Sequence, residues 1–151
     1  MVRKTEKRNY CTHLDGHGMN LEIKLLRWPE GGNYVIAFCR GPLQWEGFRR
    51  IFRRVDRFTQ PLSNCKVMID MRDSNYVLEF TEISVLIDQI VADVSSRDNQ
   101  LAIVSAPGVE YLRELVVLSN CLVKYDFNIA VFTDMDRAAS WLASTTLDLS
   151  H

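Results

Sequence analysis

A chain of 151 residues, 47% hydrophobic and 25% charged, has the length and composition of one ordinary globular domain with a sizeable core. Its formal net charge of -1 gives no bulk attraction to nucleic acid or to an anionic membrane, so either would need a local patch. No apolar run approaches the roughly 18–20 residues that span a bilayer, which excludes a transmembrane helix and points to a cytoplasmic protein.

The opening MVRKTEKRNYCTHLDGHG is charged, lacks the apolar core of a secretory signal and reads as a flexible arm over residues 1–18. One domain is expected over 19–151. NLEIKLLRW (20–28) alternates as a strand, with Leu21, Ile23 and Leu25 on one face. WPEGGN supplies a turn, and NYVIAFC (33–39) is a second strand. The short connection predicts an antiparallel hairpin. Gly41 and Pro42 are expected to open a helix to about Thr59. KVMIDM (66–71) is apolar without alternation, as in a strand covered on both faces. A helix follows from about Phe80 to Val94, with Ile83, Leu86, Ile87, Ile90 and Val94 at helical spacing. QLAIVSA (100–106) is a strand, 107–123 a helix, NIAVFT (128–133) the last strand and DMDRAASWLAS (134–144) the last helix. Thr133 is expected to cap that helix, with Asp136 at the positive end of its dipole. The order predicts an α/β fold: a mixed, mainly parallel five-stranded sheet with an antiparallel N-terminal edge strand and about four helices.

Cys11, Cys39, Cys65 and Cys121 are scattered without zinc spacing and read as reduced thiols. His13, His17 and His151 lie near the ends, poorly placed to activate a nucleophile. His13, Asp15 and His17 make at most a weak metal site. There is no GxSxG elbow, P-loop or GxGxxG, so no cofactor and no resident metal is expected.

Ligands in open α/β sheets bind beyond the carboxyl ends of the parallel strands. That rule selects Asp70, Arg72, Asp73 and Ser74 after one strand, Ser105 after the next, and Thr133 and Asp134 after the last. Helix N-termini in the same rim would favour an anion. Asp70, Asp73 and Asp134 could hold magnesium, although turn and helix-start roles are the favoured account of them. A receiver domain would add an acidic pair after its first strand and a lysine after its last, and both are missing.

FRRIFRRVDRF (48–58) is strongly amphipathic. Phe48, Ile51, Phe52, Val55 and Phe58 share one arc, while Arg49, Arg50, Arg53, Arg54 and Arg57 share the other. The plain reading is a solvated face. The functional one is an anion-binding surface for a lipid headgroup, a small anionic ligand or an acidic protein, with nucleic acid least favoured.

A strand ending in Asp70-Met71-Arg72-Asp73, the strand AIVSAP and the closing NIAVFTDMDRAASWL together resemble the bacterial SpoIIAA-like proteins, the STAS/SEC14-like group. These are relatives of the STAS domains of anti-sigma factor antagonists and sulfate transporters. The resemblance covers about residues 20–144. It implies a non-catalytic regulatory module that docks a protein partner through the loop and helix after KVMIDM, with Tyr76 and Glu79 among the contacts. Its SEC14-related branch implies lipid or small-ligand binding instead. The group's phosphorylated serine would fall near Glu79 or Phe80, where this chain has no Ser-Gly pair, so the switch is expected to be missing. Partner docking predicts an exposed apolar patch at Tyr76, Val77 and Leu78. A homodimer is compatible with a domain of this size.

Overall fold

A computed structural model describes residues 10–14, 18–27, 32–62 and 64–144, with side chains from residue 18 onward. Six strands form one sheet in sequential order: β1 (Tyr10–Leu14), β2 (Asn20–Arg27), β3 (Asn33–Leu43), β4 (Lys66–Tyr76), β5 (Gln100–Val104) and β6 (Asn128–Phe132). Among the described residues four helices accompany them: α1 (Trp45–Thr59), α2 (Phe80–Asp93), α3 (Leu112–Val123) and α4 (Met135–Ser144). β2 pairs antiparallel with β1 on one side and with β3 on the other, and β3 to β6 run parallel. The α/β class, the five expected strands and the four helices are all present.

The sheet begins earlier than expected. Tyr10–Leu14, read as part of a flexible arm, pairs backbone to backbone with Asn20–Lys24. The rest of that arm, the WPEG turn segment 28–31 and the chain beyond 144 lie outside the described residues, as do the side chains of Cys11, His13, Asp15, His17 and His151.

Sequential strand order with a helix in each parallel crossover places α1, α2 and α3 in one layer. Val67, Ile69, Met71, Leu101 and Ile103 point into that layer and meet Phe48, Ile51, Val55, Leu86, Ile90, Leu115 and Leu118. The opposite face of β4 and β5 presents Met68, Ala102 and Val104 to Ala138 and Leu142 of α4. This two-sided cover explains why KVMIDM and QLAIV show no alternation. Lys66 secures α4: its Nζ donates to the Leu142 carbonyl and, at 3.1 Å, to Gln100 Oε1, while Gln100 Nε2 donates to the Trp141 carbonyl at 3.2 Å.

Three boundaries differ from expectation. Gly41 and Pro42 do not open α1; they continue β3, pairing with Ser74 and Asn75, and the helix starts at Trp45. β2 reaches only to Arg40 on the other side, so Pro42, which has no N–H to donate, lies where no β2 partner needs one. Gly41 has φ +93°, and a Cβ there would stand 2.6 Å from the Gly18 carbonyl oxygen. Only glycine lets the two backbones approach this closely. β4 likewise runs on to Tyr76, and the helix expected from 107 begins at Leu112 after a turn through Pro107 and Gly108.

Candidate functional site at the carboxyl ends of the parallel strands

The extension of β4 decides how its polar residues are used. Phe38 pairs with Asp70 and Arg40 with Asp73, so β4 carries one extra residue over this interval. Such a bulge puts two successive side chains on the same face. Met71 stays in the core, Arg72 and Asp73 both reach solvent, and Ser74 and Tyr76 return to the interior. Arg72, Asp73, Ser74 and Tyr76 are therefore strand residues, not a loop.

Arg72 folds back on Asp70. Its Nε and a terminal nitrogen each donate to one carboxylate oxygen at 2.9 Å, and its backbone N–H donates to Oδ1 at 3.1 Å. Burial pushes the Asp70 carboxyl up, but these bonds and the Arg72 and Arg40 charges outweigh it and hold the group below its usual range. Asp70 is thus a satisfied, paired carboxylate. Asp73 and Asp134 are exposed, and among the described residues no three His, Cys, Asp or Glu side chains stand together to hold a metal. The Asp70, Asp73 and Asp134 magnesium arrangement is not formed.

The other rim residues have structural roles. Ser105 is fully buried and shares a 3.1 Å hydrogen bond with the Tyr76 hydroxyl, whose ring stands edge-on to Phe48 at 5.7 Å. Thr133 does not cap α4. Asp134 does, its Oδ1 accepting the Asp136 N–H at 2.8 Å. Ser74 Oγ is buried with no hydrogen-bond partner among the described residues.

The expected patch is only partly there: Tyr76 and Leu78 are buried and Val77 is 40% exposed. Exposure shifts two residues onward, to Phe80, which is 50% exposed at the first position of α2. Phe80 borders an open groove of about 500 Å3 lined by Leu78, Glu79, Phe80, Thr81, Tyr111 and Glu114. The groove lies between the β4–α2 loop and the start of α3, beyond the carboxyl ends of β4 and β5, where the topology rule looks for a ligand. Leu78 is fully buried; Phe80 and Tyr111 bring aromatic rings to the groove. The Arg113 guanidinium lies 5.5 Å from the Phe80 ring centroid. Glu79 occupies the N-cap position of α2, and its N–H donates to Glu82 Oε1 at 3.3 Å. The negative charge at Glu79 thus has a helix-capping role.

Carboxylates crowd this rim. Glu110, then burial, then Glu79, Glu114 and Glu82 raise the Tyr111 phenol above its ordinary value. Two helix N-termini converge here, but each contributes only about half a positive charge, against four carboxylates acting on one phenol. The rim is negative, the reverse of the anion preference expected from the helix ends.

Periodicity did not single out Phe80, because its spacing from Ile83 and Ile87 places it on the apolar stripe of α2. EYLRE (110–114) carries the clearer signal, an aromatic between acids at a helix start.

The arginine face of α1 is present as expected. Its apolar arc is buried through Phe48, Ile51, Phe52 and Val55. Arg49 Nε donates to Asp93 of α2 at 2.7 Å and a second nitrogen reaches the same carboxylate at 3.4 Å, with Arg53 3.8 Å away. These contacts hold the Asp93 carboxyl below its usual range. Arg50, Arg53, Arg54 and Arg57 line a shallow groove of about 240 Å3. Asp56 turns inward, accepting from the Ser96 N–H at 3.4 Å and from Gln60 at 3.5 Å.

No protein-family model matches the chain, and no curated protein matches it. Among the described residues no helix is long and apolar enough to cross a membrane.

Proposed function

We propose that this chain is a non-catalytic regulatory or binding module of STAS-like type, cytoplasmic, that docks a protein partner through the β4–α2 loop and the start of α2. The observation that carries this reading is the groove beside Phe80. A large aromatic is half-exposed next to a buried Leu78 floor, with Val77 exposed beside it and polar groups around the rim. Interfaces concentrate their energy in such aromatic anchors, and an exposed ring bounded by polar groups marks a contact surface. The STAS-like resemblance points to the same loop and helix, although Tyr76 and Leu78 serve the core.

The test is affinity capture from the source cells with wild-type protein, Phe80→Glu, and Val123→Glu on the exposed face of α3. A partner held by wild type and Val123→Glu but lost from Phe80→Glu supports the reading. A partner set unchanged by Phe80→Glu, with folding intact, removes it.

A second reading is binding of a lipid headgroup or small anion on the α1 arginine groove. Its support is the line of guanidinium groups at positions 50, 53, 54 and 57, which succeed one another along one helix face. Planar, permanently charged guanidinium suits bidentate contact with phosphate or carboxylate.

A further inference from the structure

We infer that the groove between the starts of α2 and α3 receives an arginine side chain from a basic segment of the partner, its guanidinium lying against the Phe80 and Tyr111 rings and facing Glu79 and Glu114. The inference rests on the docking reading above and adds the chemistry of the docked segment.

Three features converge on a cation. The walls are aromatic, and an aromatic face attracts a cation, guanidinium more often than ammonium. The rim carries carboxylates at Glu79 and Glu114, with Glu82 and Glu110 close enough to act on Tyr111. With Arg113 and the two helix ends set against them, about two negative charges remain uncompensated. Finally, a guanidinium already uses one of these rings: Arg113 lies over Phe80 at 5.5 Å. This contact is within cation–π range, and Arg113, on the exposed side of α3, can swing away. A partner arginine would replace it on a ring whose affinity for the group the fold itself displays. The groove is open, and its volume of about 500 Å3 is ample for one guanidinium group.

The occupant is a peptide segment of a different protein. In a second copy the densest group of arginines on one surface is that of α1. Those lie on a regular helix packed into its own core through Phe48 and Ile51, which holds their stems at fixed spacing along a convex surface. A flexible segment can thread one side chain into a concave groove more readily.

The experiment is a titration of acetyl-Gly-Arg-Gly-Arg-Gly-amide into isotope-labelled full-length protein, read by amide chemical shifts. The expected result is saturable shifts at Phe80, Thr81, Tyr111 and Glu114. Glu79→Gln and Glu114→Gln should each weaken binding by roughly two- to five-fold, the size of one exposed charge contact. Arg113→Ala should strengthen it by removing the internal competitor. Three outcomes overturn the inference. If a leucine analogue shifts the same amides and the arginine peptide does not, the groove is an apolar dock: the cation chemistry fails and the docking reading survives. If these amides shift on concentrating the protein alone, the occupant is a second copy. If neither peptide shifts them and Phe80→Glu leaves partner capture intact, the docking reading fails as well.

Discussion

Arg72 grips Asp70, two residues earlier on the same strand, through both carboxylate oxygens at 2.9 Å. Residues two apart on a strand share a face, so ordinary alternation sets Arg72 beside Asp70, and the bulge acts one residue later by bringing Asp73 to the same side. The pair is a strand brace, so Asp70→Asn should destabilise the fold by about 1–2 kcal/mol, as loss of a charge-assisted bond at a buried carboxylate does. Equilibrium urea unfolding measures it.

The same pair sets an acid dependence. The folded Asp70 carboxyl lies below its ordinary value, so its contribution is fully present above the unfolded value. It is lost as pH falls below about 4, through the lower folded value. The stability gap between wild type and Asp70→Asn should therefore close in acid and stay constant from neutral pH down to about 5. A gap that widens in acid would show that Asp70 is not held ionised.

Tyr76 and Ser105 join the ends of β4 and β5 inside the core. Tyr76→Phe keeps the edge-on packing against Phe48 but leaves Ser105 with its weaker bond to the Ala106 carbonyl at 3.3 Å. The expected loss is about 1 kcal/mol, with partner capture unchanged, since neither hydroxyl lines the groove. Thermal unfolding and the capture assay together check this.

Gly41→Ala should cost about 1–3 kcal/mol, because φ is +93° and the new methyl would press on the Gly18 carbonyl oxygen. Gly32 also has positive φ but open space around its Cβ direction, so Gly32→Ala should cost less. Comparing the two by urea unfolding separates contact from backbone strain.

The arginine groove of α1 predicts salt-sensitive binding of a polyanion. Inorganic tripolyphosphate should bind in low salt, and Arg53→Gln with Arg57→Gln should weaken it several-fold, with the difference shrinking as salt rises. Isothermal titration at two ionic strengths reads both effects.

The elements legible in the sequence were those written by period and composition: the alternation of Leu21, Ile23 and Leu25, the unbroken apolar runs at 66–71 and 100–104, and the stripe from Ile83 to Ile90. What was not legible depended on pairing across the sheet. Gly41 and Pro42 look like punctuation until β4 is seen to run beside them. Arg72, Asp73 and Ser74 look like a loop because a bulge breaks the alternation that would have identified a strand. Tyr10–Leu14 lies in a polar, charged stretch and gains its strand structure from the edge offered by β2. For the candidate site, the topology rule pointed to the end of the sheet and the loop beside which the Phe80 groove lies. It could not assign Tyr76 and Ser105 to the core, nor bring Phe80 and Tyr111, 31 positions apart in the chain, to one groove. Adjacent crossovers bring those helix starts together, and no local pattern records that.

The most direct measurement is in-cell photo-cross-linking with p-benzoylphenylalanine in place of Thr81, beside Phe80 on the groove, and in place of Asn120 on the exposed side of α3 as a control. A discrete adduct to one protein from position 81 and none from position 120 is the predicted result. No adduct from position 81, or the same adducts from both positions, would contradict docking through this groove.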